Sequence, residues 1–362
     1  MTVFVTALHR FWSARPQTNR RFYERAALIA PVLDSYAKVL VTGGAGFIGR
    51  HLVRALLSLG KEVTVLDNLS TGSQGELPEG ATLVRGDVRN PKETSKAALG
   101  TELVFHVAAN ANGTISMQDP RFDFETNALG TFNVLDAARK ADVKRFVYVS
   151  SASVYGRPQR FPMDEQHPTR PFIPYGASKL TGEFECLSFQ ETYGLPGVIA
   201  RPFCVYGSGE NPRLALVEVS RYLRWHLNHR PIQVVGHIDR KTRDFVHVED
   251  VAQGLLLLAD RAGDGEVFNI GSGEEVSMRQ LTEVIGSVTS RDATVREISD
   301  ITEDTYRLVA DISKIRSLGY APRVSLVDGI ERLAVELGES PELPSGGTIF
   351  SRGQKGEDLT LK

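Results

Sequence analysis

A tyrosine and a lysine, Tyr175 and Lys179, have the spacing in this sequence that most directly suggests chemistry. They stand four residues apart within PYGASKLTGE, directly after Pro174. On a helix, residues i and i+4 share a face, so an ammonium would lie beside a phenol and favour its ionised form. The pair could therefore accept a proton. The alternative is that neither residue has a chemical role: Tyr175 would be an aromatic residue at the start of a helix, and Lys179 a solvated charge.

A glycine-rich run, VTGGAGFIG, places Gly43, Gly46 and Gly49 three residues apart, after a β-branched run and before a helix-like segment. This spacing allows a tight turn and brings backbone N–H groups close to a pyrophosphate at the positive end of the helix. The next strand-like run ends in Asp67, where a carboxylate would bind ribose hydroxyls and repel a 2′-phosphate. The motif predicts NAD rather than NADP, with a turn that binds no ligand as the alternative.

Short β-branched runs alternate with helix-like segments from Lys38 onwards. Examples are KVLVTGG, EVTVLD, LVFHVAA, then a predicted helix from Asn127 to Ala141, and RFVYVSS. Such alternation predicts an α/β fold, a Rossmann-type doubly wound parallel sheet with a smaller α/β C-terminal substrate-binding lobe. The predicted divisions are an arginine-rich N-terminal extension (1–37), an NAD-binding domain (38–200), a mainly substrate-binding lobe (201–338) and a disordered polar tail (339–362).

The composition excludes several function classes. The chain has 362 residues and a formal net charge of −2, which argues against a dedicated nucleic-acid or anionic-membrane surface. Cys186 and Cys204 are far apart and predict a reduced cytoplasmic protein without a zinc site or a disulfide framework. His106 and His247 lie in apolar runs and are interpreted as core residues, so no metal is expected. RYLRWHLNHR mixes aromatic and basic residues, but Tyr222, Leu223 and Trp225 suit a packed helix face better than a nucleic-acid patch.

Seven ordered motifs together resemble the NAD-dependent nucleotide-sugar epimerases and dehydratases of the extended short-chain dehydrogenase/reductase family. The resemblance covers about residues 38–333. Its motifs are TGGAGFIG, DNLSTG, GDV, HVAA, SSASVYG, YGASK and TRDFVHVEDVA.

The resemblance implies a division of labour among the site residues. Tyr175 would act as general base, Lys179 would lower its pKa, and Ser151 would bind the sugar hydroxyl. Holding a tyrosine ionised at neutral pH requires about 3 pKa units of stabilisation, or roughly 4 kcal/mol. The residues expected to contact NAD are Gly43, Gly46, Phe47, Ile48, Gly49, Asp67, Asn68, Ser70, Thr71, Gly72, Asp87, Val88, Ala108, Ala109, Asn127, Tyr175, Lys179 and Phe203.

The residues after the serine favour one branch of the family. Relatives that eliminate water or carbon dioxide carry carboxylates at or next to these positions, whereas this chain has Ala152 and Ser153. Reaction at C4 alone needs only Tyr175, Ser151 and the nicotinamide, so the resemblance favours C4 epimerisation of a nucleotide-diphosphate sugar. A dehydratase, a decarboxylase, a dehydrogenase that releases NADH, and a non-catalytic NAD sensor remain alternatives.

Substrate binding is expected to use Ser151, Cys204, Arg243 and Arg307. Arg243 matches the family position that pairs with the diphosphate, and an arginine fork suits phosphate oxygens; pairing with a neighbouring aspartate is the alternative. Cys204 stands where many relatives have an asparagine. The run ITED replaces a second phosphate arginine, with Arg307 as a shifted substitute. The sequence leaves the nucleotide and the sugar open, and the family analogy suggests a homodimer packed through the Asn127 and Lys179 helices.

Overall fold

The computed structural model describes residues 32–214, 217–298 and 306–344. Residues 1–31 of the predicted extension, the ITED run and residues 345–362 of the predicted tail lie outside the described residues.

Seven parallel strands form the central sheet, which confirms the predicted fold class. Their spatial order is β11-β6-β5-β4-β1-β2-β3, so successive strands are added outward in both directions from β1 and β4. The strands consist largely of β-branched and aromatic residues, and β4, β5 and β6 are buried along their whole length, as expected for a sheet covered on both faces. The bounds are β1 Lys38–Thr42, β2 Glu62–Asp67, β3 Thr82–Arg85, β4 Leu103–His106, β5 Arg145–Val149, β6 Gly197–Pro202 and β11 Glu266–Ile270.

Helices connect these strands, and the motifs that the sequence singled out follow their carboxyl ends. In an open parallel sheet, ligands bind outside the carboxyl ends of the strands, at the point where the strand order reverses. Here that point lies between β1 and β4. The helices of this part are α1 Phe47–Ser58, α2 Pro91–Ala98, α3 Gly113–Gln118, α4 Pro120–Phe124, α5 Gly130–Lys140 and α6 Pro174–Tyr193.

The C-terminal part builds a smaller α/β lobe with its own apolar core. Strand β11 and helix α8 nevertheless return to the central sheet, and the division of the chain into an NAD domain and a substrate lobe stays a prediction. The remaining strands are β7 Cys204–Tyr206, β8 Ile232–Val235, β9 Thr242–Arg243, β10 Phe245–His247, β12 Val276–Ser277, β13 Val295–Ile298 and β14 Arg307–Leu308. The remaining helices are α7 Glu218–Leu227, α8 Val248–Arg261, α9 Met278–Thr289, α10 Ser313–Ser317 and α11 Leu326–Leu337.

Helix α7 contains most of the basic and aromatic run RYLRWHLNHR. Tyr222 and Leu223 are fully buried and Trp225 is nearly so, in the core of the C-terminal lobe. The aromatic residues therefore pack inside the protein, as the sequence predicted. Within the described ranges, the chain has no helix long and apolar enough to cross a membrane.

Candidate active site

The glycine loop between β1 and α1 forms a tight backbone cradle. Gly43 has a φ of 69°, in the left-handed region, and a Cβ there would lie 2.7 Å from the Cα of Ala108. A Cβ on Gly49 would lie 2.1 Å from the carbonyl oxygen of Gly43. Helix α1 begins at Phe47 without a side-chain cap on Gly46, so its first N–H groups face the loop. These features create an anion site of the kind that binds pyrophosphate.

Asp67 ends β2 beside this loop. Its Oδ2 accepts a hydrogen bond from the backbone N–H of Ala45 at 3.0 Å, and its Oδ1 accepts one from that of Leu69 at 2.8 Å. The carboxylate therefore joins the glycine loop to the segment that follows β2. Asn68 continues this edge by donating to Asp87 Oδ2 at 3.0 Å.

Asp87 follows β3 and is half-buried. Hydrogen bonds from Arg89 outweigh burial and lower the pKa of Asp87 to about 2, with Asn68 contributing. Val88 is buried next to it. The structure thus brings Asp67, Asn68 and Asp87, which were predicted to contact NAD, to one edge of the sheet.

The other predicted cofactor residues surround the same loop. Ser70 and Thr71 are exposed and Gly72 is half-buried in the segment after β2, while Phe47 and Ile48 are half-buried in the first turn of α1. Ala108 donates its N–H to Thr42 Oγ1 at 3.2 Å, and the neighbouring Ala109 is half-buried. All of these residues follow the carboxyl ends of β1, β2 or β4.

Ser151 and Tyr175 come together at the carboxyl end of β5. Ser151 precedes a 3-10 turn, Ala152–Tyr155, and its Oγ accepts a hydrogen bond from the N–H of Ser153 at 3.1 Å. Tyr175 lies in the first turn of α6, which Pro174 begins, and the Ser151 hydroxyl is near enough to act on the pKa of its phenol. Burial raises the pKa of Tyr175, and the Ser151 hydroxyl opposes that change.

Lys179 lies one helical turn after Tyr175 and is 1% exposed. Its Nζ is 4.5 Å from the centroid of the Tyr148 ring, close enough for a cation–π interaction. Burial lowers the pKa of Lys179 to about 8, although nearby acidic groups, including Glu183 and Asp123, oppose the shift. A lysine with this pKa is still mainly charged at neutral pH. Whether that charge lowers the pKa of Tyr175 stays a prediction.

Asn127 is tied to the Tyr175 helix through a buried network that sequence reasoning missed. The sequence predicts one helix from Asn127 to Ala141, but the structure has a π-helical turn, Glu125–Leu129, before α5. Asn127 Nδ2 donates to Asp123 Oδ1 at 3.0 Å and to Ser178 Oγ at 3.1 Å. Such π turns often mark functional sites because they re-aim one side chain.

Asp123 is the centre of this network. Besides Asn127, its carboxylate accepts from Asn110 Nδ2 at 2.8 Å and from Ser178 Oγ at 2.6 Å. Ser178 was visible in YGASK, and Asp123 stands four residues before Asn127. A search for polar residues at i−4 of Asn127 could have found the carboxylate.

The two histidines of the apolar runs are buried in the core. His106 contacts the hydroxyls of Thr42 at 2.7 Å and Thr131 at 3.0 Å, and burial lowers its pKa to about 3. His247 is 3% exposed and precedes α8. Among the described residues, no group of three or more histidine, cysteine or acidic side chains could hold a metal ion.

Phe203 and Cys204 lead from the reaction centre towards the C-terminal lobe. The Phe203 ring is buried with its centroid 6.3 Å from that of Tyr155, in the turn that follows Ser151. Cys204 is half-buried at the start of β7, and burial raises its pKa while the charge of Arg243 opposes that shift.

Arg243 is buried on β9, with Nη2 3.6 Å from Glu218 Oε1. The buried Arg243 therefore has a glutamate partner from α7, and its role in binding a diphosphate stays a prediction.

Arg307 lies on β14, in register with Thr242 beside Arg243. Its guanidinium makes two hydrogen bonds to Glu275, at 2.6 and 2.7 Å, and lies 4.2 Å from the centroid of the Phe161 ring. Arg307 also lines a cavity of about 750 Å³ together with His237 and Arg240. It is thus on the strand next to Arg243, and its role in substrate binding stays a prediction.

The residues at the glycine loop fit NAD. The close approaches at Gly43 and Gly49 pack the loop tightly against the start of α1, whose first N–H groups have no side-chain cap and suit a pyrophosphate. Asp67 ends β2, whereas Tyr175 and Lys179 follow β5, so they stand on the two sides of the strand-order reversal where a sheet of this kind binds a dinucleotide.

Comparisons with known proteins agree with this geometry. Residues 39–271 match the model of the NAD dependent epimerase/dehydratase family. The chain is 34% identical over 304 residues to a UDP-glucose 4-epimerase of Mycolicibacterium smegmatis, covering 82% of this chain and 96% of the relative.

Solved structures give the same result. A UDP-glucose 4-epimerase of Thermus thermophilus in complex with NAD matches with a TM-score of 0.74 and 33% identity, over 83% of this chain and 98% of that chain. A dTDP-glucose 4,6-dehydratase of Streptomyces venezuelae with NAD bound matches with a TM-score of 0.76 and 32% identity, over 83% and 96% of the two chains. The resemblance and the cofactor that the sequence predicted are confirmed: the chain is an enzyme of the NAD-dependent epimerase/dehydratase family, and its cofactor is NAD.

Proposed function

We propose that the protein epimerises a nucleotide-diphosphate sugar at C4 through a transient 4-keto intermediate. The observation that carries the proposal is that Ser151, just after β5, and Tyr175, in the first turn of α6, have neighbouring hydroxyl groups, with Lys179 buried one helical turn away. The names of the relatives support the substrate class.

Each side chain has a distinct task in this proposal. Ser151 binds the C4 hydroxyl and holds it against Tyr175, which takes the hydroxyl proton and later returns it. Lys179 keeps a positive charge near the phenol when the proton leaves. When bound, NAD supplies the acceptor and later the donor of the C4 hydride. The chain must then retain the keto sugar while it turns over, so that the hydride returns to the other face.

The residues after Ser151 favour epimerisation over elimination. Ala152 is buried and Ser153 is half-buried, and the backbone N–H of Ser153 holds Ser151 Oγ in place. Neither side chain is a carboxylate that could remove a proton from C5 or C6. A dehydratase lies among the structural matches, so this choice depends on the local chemistry rather than on the overall fold.

The site residues fall into three groups in this proposal. Tyr175, Ser151 and Lys179 perform the reaction, and the residues around the glycine loop, together with Asn127 and Phe203, hold NAD. Arg243, Cys204 and Arg307 face the nucleotide-diphosphate part of the substrate.

The experiment that tests the function is turnover of a panel of nucleotide sugars with added NAD. UDP-glucose, UDP-N-acetylglucosamine, UDP-glucuronate and dTDP-glucose are incubated with the purified protein and analysed by mass spectrometry and sugar analysis. A product of unchanged mass with inverted C4 supports the proposal and names the sugar. Loss of water or carbon dioxide contradicts it, and NAD binding without any product favours the sensor.

A homodimer is the second part of the proposal. The face formed by α4, the π turn, α5 and α6 exposes five large apolar side chains, from 42% to 62% of their surface: Phe124, Leu129, Phe132, Phe184 and Tyr193. Phe132 and Tyr193 both contact Phe189, so this face is continuous across α5 and α6. A second copy of the same face would bury it, in agreement with the predicted packing of the Asn127 and Lys179 helices.

Sedimentation of single variants tests the dimer. Phe184→Glu is expected to yield monomers because it places a charge in the centre of the apolar face. Leu99→Glu, at a site 76% exposed at the end of α2, is the control and is expected to leave the assembly unchanged. A dimer that survives Phe184→Glu contradicts the proposed interface. A cytoplasmic location also stays a prediction.

A further inference from the structure

A buried group of charges lies in the C-terminal lobe, between the start of α7 and the segment that leads into β9. Glu218 begins α7, and one of its oxygens, Oε1, is 3.3 Å from Lys241 Nζ and 3.6 Å from Arg243 Nη2. All three side chains are at least nine-tenths buried: Glu218 is 6%, Lys241 3% and Arg243 6% exposed. Two cations therefore converge on a single anionic oxygen.

This group stabilises negative charge strongly. Burial alone would raise the pKa of Glu218, but the charges of Arg243, Lys241 and Arg221 outweigh it and lower the pKa to about 2. Buried cations arranged around an oxygen in this way match the chemistry of a phosphate-binding site.

The position of the group relates it to the reaction centre. Cys204 is half-buried, and its backbone N–H donates at 3.1 Å to the carbonyl oxygen of Asp244, the residue after Arg243. Its neighbour Phe203 packs near Tyr155, in the turn that Ser151 begins. A substrate whose sugar lies at Ser151 and which extends past Phe203 would bring its next groups to Lys241 and Arg243.

The backbone holds Lys241 firmly in this place. Its N–H donates to the carbonyl oxygen of His237 at 3.0 Å, and its own carbonyl oxygen accepts from the N–H of Met278, also at 3.0 Å. Because both backbone groups are engaged, the lysine stem starts from a fixed point, and less conformational entropy is lost when its ammonium binds an anion.

We propose that Lys241 is a second cation of the diphosphate-binding site and binds the phosphate groups of the substrate together with Arg243. This inference depends on the proposed function, because it takes the substrate to be a nucleotide-diphosphate sugar. The ITED run stands where relatives have a second phosphate-binding arginine, and Lys241 would supply the positive charge that is missing there.

The test is calorimetric titration of the full-length, NAD-loaded protein with UDP and with dTDP, compared with uridine and thymidine, which lack the phosphates. Lys241→Gln is expected to weaken binding of the diphosphates by at least about tenfold, because a charged hydrogen bond is lost. Binding of the nucleosides should not change. Lys241→Arg should retain most of the affinity, and Arg279→Gln, an exposed cation paired with Asp239 in the same lobe, is the control.

A second comparison covers the case in which Lys241→Gln does not fold because Glu218 is left buried with one partner fewer. Glu218→Gln removes the buried negative charge. Comparison of this variant with the double variant Glu218→Gln/Lys241→Gln then measures the effect of the lysine alone. The double variant should bind UDP at least about tenfold more weakly than the single variant Glu218→Gln.

The inference is overturned if removal of Lys241 changes diphosphate affinity by less than about twofold while Arg243→Gln abolishes it. It is also overturned if the wild type binds neither UDP nor dTDP. Turnover separates this result from the proposed function. If the protein inverts C4 but its diphosphate affinity does not depend on Lys241, the inference alone is rejected. If the affinity depends on Lys241 but C4 is not inverted, the function alone is rejected.

Discussion

The side-chain amide of Asn127 donates a hydrogen bond to the hydroxyl of Ser178, 3.1 Å away, and so ties the π-helical turn to the helix that carries Tyr175 and Lys179. Ser178 in turn donates to Asp123, whose carboxylate is fully buried. The carboxylate of Asp123 therefore contacts, through Ser178, the helix that carries Tyr175 and Lys179.

Asp123→Asn is expected to move the pH profile of kcat/KM to lower pH. The negative charge of Asp123 raises the pKa of Tyr175 and also that of Lys179, so its removal lowers both. The phenol then ionises at lower pH, and the ammonium loses its proton at lower pH. Glu125→Gln, in the same π turn and paired with Arg121 at the surface, is the control. An unmoved profile would show that Asp123 acts only on structure.

Tyr175→Phe should abolish turnover and leave the rest of the protein intact. The phenol is the proposed proton acceptor, and loss of a general base costs at least about a hundredfold in rate. The phenyl ring still fills the same space, so NAD content and the unfolding temperature should match those of the wild type. Tyr193→Phe, at a tyrosine 56% exposed, is the control. Near-normal activity of Tyr175→Phe would reject the assignment.

The strands and the glycine loop were predictable from sequence because their signals are local. Each of the β-branched runs that end at Thr42, Asp67 and His106 is by itself typical of a buried strand. The glycines of the loop directly follow the first of these runs. The Tyr175–Lys179 pair was likewise predictable, since i and i+4 positions on a helix are neighbours whatever the tertiary fold.

The missed residues depend on contacts between distant parts of the chain. Asp123 meets Ser178 across 55 residues, and nothing in either segment encodes the other. Glu218 meets Lys241 and Arg243 only because α7 packs beside β9, so an acidic residue at a helix start gave no sign of a phosphate-like site. The π turn at Asn127 was also missed, because the apolar pattern of the sequence there is that of a regular α-helix and does not mark the turn.

Gly49→Ala should weaken NAD binding. The new Cβ would lie 2.1 Å from the carbonyl oxygen of Gly43, so the loop must move, and overpacking of this kind is costly enough to reduce affinity by about tenfold. The measurement is the NAD content of the purified protein and its titration with NAD. Gly75→Ala is the matched control, because its nearest neighbour would be the Ser73 hydroxyl at 3.8 Å. Equal NAD affinity in both variants would remove the glycine loop from the cofactor site.

Lys179→Met should abolish turnover and yet stabilise the fold at neutral pH. Burial lowers the pKa of Lys179 from 10.5 to about 8, so the charged lysine costs folding free energy, up to the order of 3 kcal/mol. Between these pKa values the unfolded chain binds more protons than the native one, so the stability of the wild type rises with pH across that window. The advantage of the variant must therefore shrink as the pH rises from about 8 to about 10.5. Urea unfolding of both proteins over this range measures the difference, and Lys140→Met, at an exposed lysine on α5, is the control. A difference that stays constant or widens with pH would mean that Lys179 is not a desolvated ammonium, and the electrostatic basis for its proposed role at Tyr175 would fail.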